Sequence, residues 1–115
     1  MTIERIKVGS RMSQAVIHGA TIYLAGQVAD DPSADVAGQT RQILAKIDGL
    51  LAEAGSDKSK LLSANVWLSD ISTFDQMNSV WDEWITPGKP PARACVESRL
   101  ARPEFKVEIM VVAAR

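Results

Sequence analysis

Two apolar periodicities in separate parts of this chain restrict what it can fold into. Between residues 61 and 69 the side chains alternate, which predicts a β-strand with one buried face. The apolar side of that strand carries Leu62, Ala64, Val66 and Leu68. Between residues 36 and 54 apolar side chains recur every three or four positions, which predicts a helix of about five turns with one buried stripe. That stripe consists of Val36, Thr40, Ile43, Ile47, Leu50 and Ala54.

Turn and capping residues predict the limits of the other elements. Gly19 and Ala20 predict a tight hairpin between two short strands, and a further strand is expected at residues 3–8. Ser33 is the expected N-cap of the first helix, and Gly55 is expected just beyond its C-terminus. Residues 72–75 resemble a capping box that opens a second helix. Its bulky stripe, expected in the core, consists of Phe74, Met77, Trp81, Trp84 and Ile85.

The resulting order, β-β-β-α-β-α-β-β, predicts an α+β fold with both helices on one face of a mixed sheet. No element of the chain remains to cover the other sheet face. A small protein does not leave a broad, partly apolar sheet face in water. We therefore expect a homo-oligomer with any functional site at a subunit boundary, and Trp67 is a candidate for a subunit contact or pocket wall.

Composition excludes several classes of function. The 115 residues predict one domain, residues 1–115, and 46% hydrophobic content is typical of a soluble globular protein. A net charge of −1 without a basic stripe argues against nucleic acid or a membrane as partner. No signal-peptide pattern or membrane span is recognisable, so we expect a cytoplasmic protein. A single cysteine, Cys95, and a single histidine, His18, argue against a disulfide framework and a zinc site.

Three residues near the end of the chain are candidates for a functional site. The guanidinium of Arg93 has the fork geometry that binds a carboxylate through two hydrogen bonds, although a surface ion pair is the ordinary alternative. Glu108 interrupts an apolar strand, where an unpaired buried carboxylate is costly, and an ion pair with Lys106 or with another subunit is its alternative. Cys95 shares a strand face with Arg93. Because no base is evident beside it, we expect a small apolar side chain and not a nucleophile.

Several motifs resemble the RidA/YjgF family of imine and enamine deaminases. The C-terminal motif is PARACVESRL, which contains Arg93 and Cys95, followed by KVEI, which contains Glu108. Further family segments are similar to residues 25–28, to the helix segment with Gln39 and Arg41, and to residues 66–70 with 74–78, so the resemblance covers nearly the whole chain. It implies a chorismate-mutase-like fold and a homotrimer with three clefts between subunits.

The resemblance also implies a reaction. A small 2-imino acid, such as the tautomer of 2-aminoacrylate, would be hydrolysed to a 2-keto acid and ammonia without a cofactor or metal. Arg93 would anchor the substrate carboxylate and Glu108 would position the water. Backbone groups near Cys95 would assist, and Asn78 would line the cleft, although a polar residue on the solvent side of the second helix is its ordinary alternative.

The chain departs from the family at two cleft positions. Met12 and Ala25 stand where typical members have a tyrosine and a serine. A less polar cleft is compatible with catalysis on other side chains. It is also compatible with a non-catalytic module that binds a small carboxylate or keto acid. A scaffold acting through its oligomer surface is a third hypothesis.

Overall fold

A computed structural model describes residues 1–115 and confirms the predicted order of elements. The strands are β1 (Ile3–Val8), β2 (Ser13–His18), β3 (Thr21–Leu24), β4 (Leu61–Leu68), β5 (Ala92–Glu97) and β6 (Val107–Ala114). The α-helices are α1 (Val36–Glu53) and α2 (Phe74–Trp84), and single 3₁₀ turns cover Lys58–Lys60 and Ile71–Thr73. None of the helices combines the length and the apolar character needed to cross a membrane.

The six strands form one mixed sheet in the order β1-β2-β3-β6-β4-β5. All neighbouring pairs are antiparallel except β4 and β5, which are parallel. A parallel pair needs a crossover connection, and α2 supplies it. β5 and β6 follow one another in sequence, but β4 lies between them in the sheet. This separation determines where the candidate site residues lie.

Both helices pack on the same sheet face and form one hydrophobic core with it. The α1 stripe lies in this core as predicted, with Ile43 and Ile47 fully buried. On the sheet the core continues through alternate residues of β6, including Val107, Ile109 and Val111. Buried Gln39 joins the helix to the segment before β6, because its side chain donates to the carbonyl of Glu104 and accepts from the backbone N–H of Lys106.

The predicted N-cap of α1 is wrong by two residues. Asp35 caps the helix, because its carboxylate accepts a hydrogen bond of 2.8 Å from the backbone N–H of Gly38. Ser33 instead donates to the carboxylate of Asp31 in the preceding turn. The C-terminal prediction is confirmed, since Gly55 has a φ of +83° that suits glycine.

The predicted capping box of the second helix is also wrong. Asp70 accepts from the backbone N–H and hydroxyl of Ser72, which forms a 3₁₀ turn before α2 begins. Thr73, the N-cap residue of α2, makes no side-chain hydrogen bond to the helix. Its hydroxyl donates to the carbonyl of Asp70 instead.

The alternation predicted for β4 fails at its first residues. A register irregularity between Leu61 and Ser63 leaves Leu61 buried and Leu62 50% exposed. Such a bulge inserts a residue and reverses the side chains that precede it. From Ala64 onward the predicted alternation is confirmed.

The sheet face opposite the helices has no cover within the chain. Tyr23 on β3 and Val96 on β5 are each 49% exposed there. Trp67, Met110 and Val112 are only partly buried on the same face. An apolar surface that crosses several strands is therefore available to a partner.

Candidate functional site

Arg93 extends from β5 toward the helix layer. It pairs across the sheet with Ala64, which is buried on the helix-covered face. Its Nη1 donates a hydrogen bond of 2.9 Å to the side-chain oxygen of Asn78 in the middle of α2. The structure therefore brings together Arg93 and Asn78, two residues for which the family resemblance implies a shared cleft.

Two aromatic rings of α2 flank the same guanidinium. The Cζ atom of Arg93 lies 5.0 Å from the ring centroid of Trp81 and 5.9 Å from that of Phe74. Phe74, Asn78 and Trp81 are spaced i, i+4 and i+7, which places them along one side of the helix. Cation–π contacts of this kind act within about 6 Å of a ring centroid. The guanidinium is thus held by one amide and two rings.

The positive charge of Arg93 has no carboxylate partner in its own chain. The ion pairs within 4.0 Å are Lys7–Glu53, Lys46–Asp30 and Arg115–Glu4. An amide oxygen and aromatic faces orient a guanidinium without cancelling its charge. Arg93 is consequently oriented and still able to bind an anion, as a carboxylate anchor requires.

Cys95 lies beside Arg93 on the helix-covered face, as the strand alternation predicted. It pairs with buried Val66 and packs against the core. Burial raises the pKa of its thiol above the ordinary value, and the nearby charge of Arg93 offsets this only in part. The thiol is therefore protonated near neutral pH, which argues against nucleophilic catalysis by its sulfur.

Glu108 lies on the opposite, open face of the sheet. Its neighbours in β6, Val107 and Ile109, are fully buried toward the helices, and its cross-strand partner is Trp67. Burial raises the pKa of the Glu108 carboxyl above that of an ordinary glutamate. No ion pair compensates this burial within the chain. Lys106, the partner considered from sequence, donates its ammonium to the carbonyl of Ala34 instead.

The Glu108 carboxylate packs directly against Gly26. A Cβ atom on Gly26 would overlap the carboxylate oxygen and would lie 3.1 Å from the carboxyl carbon. Gly26 follows β3 and is fixed by Gln27, whose backbone pairs with Ile109 through hydrogen bonds of 2.8 and 3.1 Å. The absence of a side chain at this position therefore lets the carboxylate reach its observed place.

Met12 and Ala25, the two positions that differ from the resembled family, lie near the same end of β2 and β3. Ala25 directly precedes Gly26, and its backbone N–H donates to the carbonyl of Gln14 at 2.9 Å. Met12 ends the turn before β2 and is 55% exposed. Neither side chain offers a hydrogen bond, so this surface is less polar than one with a tyrosine and a serine.

The candidate residues consequently form two groups. We call Phe74, Asn78, Trp81, Arg93 and Cys95 the Arg93 cluster. We call Gly26 and Glu108 the Glu108 cluster, and Ala25 and Met12 stand apart from it as the residue before Gly26 and the residue before β2. The clusters lie on opposite faces of the sheet, with β4 between their strands, so one chain cannot present both to one small ligand. The adjacency in sequence of the last two strands did not indicate this separation.

Three positions in these clusters were missed or interpreted differently from sequence. The motif at residues 25–28 contains Gly26 but does not predict its contact with Glu108. The prediction that Phe74 lies in the core is wrong, since Phe74 is 37% exposed, while Trp81 is buried as predicted and also contacts Arg93. The i, i+4, i+7 spacing of an amide between two aromatic residues was the available signal.

Other aromatic and titratable residues remain outside the clusters. Trp84 is partly buried beside the core, and its indole N–H donates to Asp48 at 3.0 Å. His18 is exposed. No group of three His, Cys, Asp or Glu side chains is close enough to hold a metal ion. The largest surface cavity, about 660 Å³, is lined by the segment around Arg99 and Arg102 and contains neither Arg93 nor Glu108.

Comparisons with known proteins agree on one family. Residues 2–115 match the family described as Endoribonuclease L-PSP. A RutC family protein of Haemophilus ducreyi is 46% identical over 112 residues, which cover 97% of this chain and 96% of that protein. The RutC family protein YoaB of Escherichia coli K12 is 44% identical over 114 residues, with 99% of both chains covered.

Solved structures give the same result. A YjgF family member from Neisseria meningitidis superimposes with a TM-score of 0.98 at 45% identity, covering 100% of this chain and 96% of that one. An uncharacterized protein from Pseudomonas aeruginosa gives a TM-score of 0.97 at 46% identity, with 99% of each chain covered. These similarities extend over the whole fold.

Proposed function

The chain belongs to the RidA/YjgF family, and from this premise we propose that it is a hydrolytic deaminase of small 2-imino acids. The products are a 2-keto acid and ammonia. The observation that carries the proposal is the environment of Arg93, whose guanidinium is oriented by Asn78 and two aromatic rings and has no carboxylate partner. A substrate carboxylate supplies that missing anion through two parallel hydrogen bonds.

The complete site is proposed to form between two copies of the chain. Because the Arg93 cluster and the Glu108 cluster lie on opposite sheet faces, the Arg93 of one copy has to meet the Glu108 of another. The open sheet face, with exposed Tyr23 and Val96, provides apolar surface for such a contact. A homotrimer, as expected from the family resemblance, closes three equivalent clefts by rotation.

The proposed reaction uses positioning and modest acid–base help. The substrate carboxylate binds Arg93, which leaves the imine carbon facing the neighbouring copy. The Glu108 carboxylate accepts a proton from water as the water oxygen bonds to that carbon, and the same proton then passes from the Glu108 carboxyl to the former imine nitrogen. The resulting carbinolamine passes its hydroxyl proton through Glu108 to the amino nitrogen, the C–N bond breaks to release ammonia, and a 2-keto acid remains. Aligned groups of this kind supply about 10²–10⁴-fold acceleration through general acid–base catalysis.

The raised pKa of Glu108 suits this role. A carboxylate whose pKa is displaced upward by burial is a stronger base than an ordinary glutamate. It is also destabilised by its surroundings when charged, which favours proton uptake from the water. The glycine at position 26 leaves the space that the carboxylate occupies.

Met12 and Ala25 favour substrates with apolar side chains in this scheme. The same two residues support the second candidate, a non-catalytic module that binds a 2-keto acid at the same cleft. The candidates differ in whether Glu108 has a catalytic task. Binding alone needs the Arg93 cluster, whereas hydrolysis needs both clusters.

A trapping assay tests the proposed activity. An amino acid oxidase generates 2-imino acids in the presence of semicarbazide, and the protein competes with the trap. The wild type is expected to suppress semicarbazone formation, most strongly for small apolar amino acids, while Arg93→Ala does not. The matched control is Arg41→Ala, because Arg41 is exposed on α1 and belongs to neither cluster.

Either of two results would overturn the proposal. Wild-type protein that leaves semicarbazone formation unchanged with every amino acid excludes the deaminase. Equal loss in Arg93→Ala and Arg41→Ala excludes Arg93 as the specific anchor. Binding of pyruvate without hydrolysis would select the non-catalytic candidate.

A further inference from the structure

We infer that Phe74 and Trp81 are positioning residues that clamp the Arg93 guanidinium and leave its charge available to a carboxylate. This inference rests on the proposed function, because it explains how the anchor for the substrate is prepared. It assigns to two aromatic residues of α2 a task distinct from filling the core. Neither residue is required to touch the substrate.

The geometry of α2 places two aromatic rings beside the Arg93 guanidinium. Phe74 and Trp81 lie two turns apart on one side of α2, with Asn78 between them. The Arg93 Cζ is 5.9 Å from one ring centroid and 5.0 Å from the other, and its Nη1 donates to Asn78 at 2.9 Å. A guanidinium has five N–H donors, so this arrangement fixes its orientation while using one of them.

The exposure of Phe74 indicates a role other than filling the core. A phenylalanine that served only the core would be buried, but Phe74 is 37% exposed and lies outside the core cluster. The ring of Phe74 lies against the guanidinium of Arg93. Trp81 differs, because it is 5% exposed and its other neighbour is Trp84, at 5.5 Å between ring centroids. Trp81 therefore serves both the core and Arg93.

The aromatic rings of the clamp hold the guanidinium without neutralising its charge. A carboxylate beside Arg93 would hold the side chain equally well but would neutralise the charge that the substrate needs. Aromatic faces attract the cation through their quadrupole and bring no negative charge. The long side chain loses its rotamer freedom before the ligand arrives, which reduces the entropic cost of binding.

The test compares ligands with and without a carboxylate. Pyruvate and its neutral amide, pyruvamide, are titrated by NMR into wild type, Phe74→Leu and Phe74→Tyr. We expect Phe74→Leu to weaken pyruvate binding about two- to fivefold, the range of an exposed cation–π contact, with pyruvamide unaffected. Phe74→Tyr keeps the ring and is expected to keep the affinity. Because Phe74 is partly exposed, these variants are expected to fold.

A second pair of variants examines Trp81. Trp81→Phe is expected to retain pyruvate affinity, and Trp81→Leu is expected to lose it selectively. Trp84→Leu is the matched control, since Trp84 packs on Trp81 without contacting Arg93. Circular dichroism and thermal melting establish that each variant is folded at the titration temperature.

The outcomes distinguish a failure of the aromatic clamp from a failure of the proposed Arg93 anchor. If wild type binds pyruvate through Arg93 but Phe74→Leu and Phe74→Tyr behave alike, the clamp is wrong and the anchor stands. An equal loss of affinity for pyruvate and pyruvamide in Phe74→Leu also overturns the clamp, because it indicates general damage to the cleft. If wild type binds pyruvate no better than Arg93→Ala does, the proposed anchor fails and the clamp fails with it.

Discussion

Arg93 and Glu108 lie on opposite faces of one sheet, on strands that β4 separates. Arg93 contacts the helix layer through Asn78, whereas Glu108 pairs with Trp67 on the uncovered face. A ligand of three or four carbon atoms cannot contact both within one chain. The two residues can cooperate only when another copy brings its open face to the edge of the sheet that carries β5.

The contact between Gly26 and Glu108 predicts the effect of adding one methyl group. Gly26→Ala is expected to displace the carboxylate and to lower kcat about 10²-fold, as expected for loss of general acid–base help. Gly49→Ala is the matched control, because no atom lies within 4 Å of the Cβ it would add. It is expected to keep full activity and to raise stability by about 0.5–1 kcal/mol through helix propensity. Equal activity in the two variants would show that the Gly26 contact is unimportant.

Replacing the neutral partner of Arg93 by a charged one should block the anchor. Asn78→Asp is expected to form an ion pair with the guanidinium and to raise KM by about tenfold or more, because the substrate must displace a charge-assisted hydrogen bond. Asn78→Ala removes only the neutral contact and is expected to have a smaller effect on KM. Steady-state kinetics with several 2-imino acids compare the two. A KM that is unchanged in Asn78→Asp contradicts the requirement for an uncompensated charge.

The raised pKa of Glu108 predicts the pH dependence of the reaction. Its carboxylate form accepts the proton of water, so the enzymatic rate should rise with pH through a pKa above that of an ordinary glutamate. Glu108→Gln is expected to abolish this limb and to lower kcat about 10²-fold or more. The rate of the uncatalysed hydrolysis is subtracted at each pH. An acidic limb that persists in Glu108→Gln would assign it to another group.

The same pKa has a consequence for stability. Between the ordinary and the raised pKa the folded protein binds more protons at Glu108 than the unfolded chain does. Its contribution to stability is therefore greatest at low pH and falls as pH rises through that window. Thermal melting should show a smaller decline over this window in Glu108→Gln than in wild type.

Cys95 is expected to be dispensable for the chemistry. Because burial raises the pKa of its thiol, Cys95→Ala should keep a kcat of the same order as the wild type, with a modest loss of stability from the smaller side chain. A loss as large as that in Arg93→Ala would instead identify the sulfur as a participant. Melting curves of the variant separate instability from lost catalysis.

Particular residues show what the sequence could predict. The order of elements, the α1 stripe and the placement of Arg93 beside Cys95 followed from periodicity, because side-chain direction in helices and strands repeats regularly. The separation of Arg93 from Glu108 by a strand did not follow, because the insertion of β4 between β5 and β6 depends on long-range pairing. The bulge at Leu62 and the capping of α1 by Asp35 depend on local hydrogen bonds among competing residues. The contact of Gly26 with Glu108 required coordinates for both strands.

Subunit complementation tests whether each site combines Arg93 of one copy with Glu108 of another. Arg93→Ala and Glu108→Gln proteins are each expected to lose about 10²-fold or more of the activity, and they are then co-assembled in equal amounts by joint refolding. If each site combines Arg93 of one copy with Glu108 of another, random mixing restores about one cleft in four in a cyclic assembly. We expect about that fraction of wild-type activity in the mixture and only about 1% or less in either parent refolded alone. A mixture as inactive as its parents, with mixed assemblies demonstrated by mass, would contradict a site shared between copies.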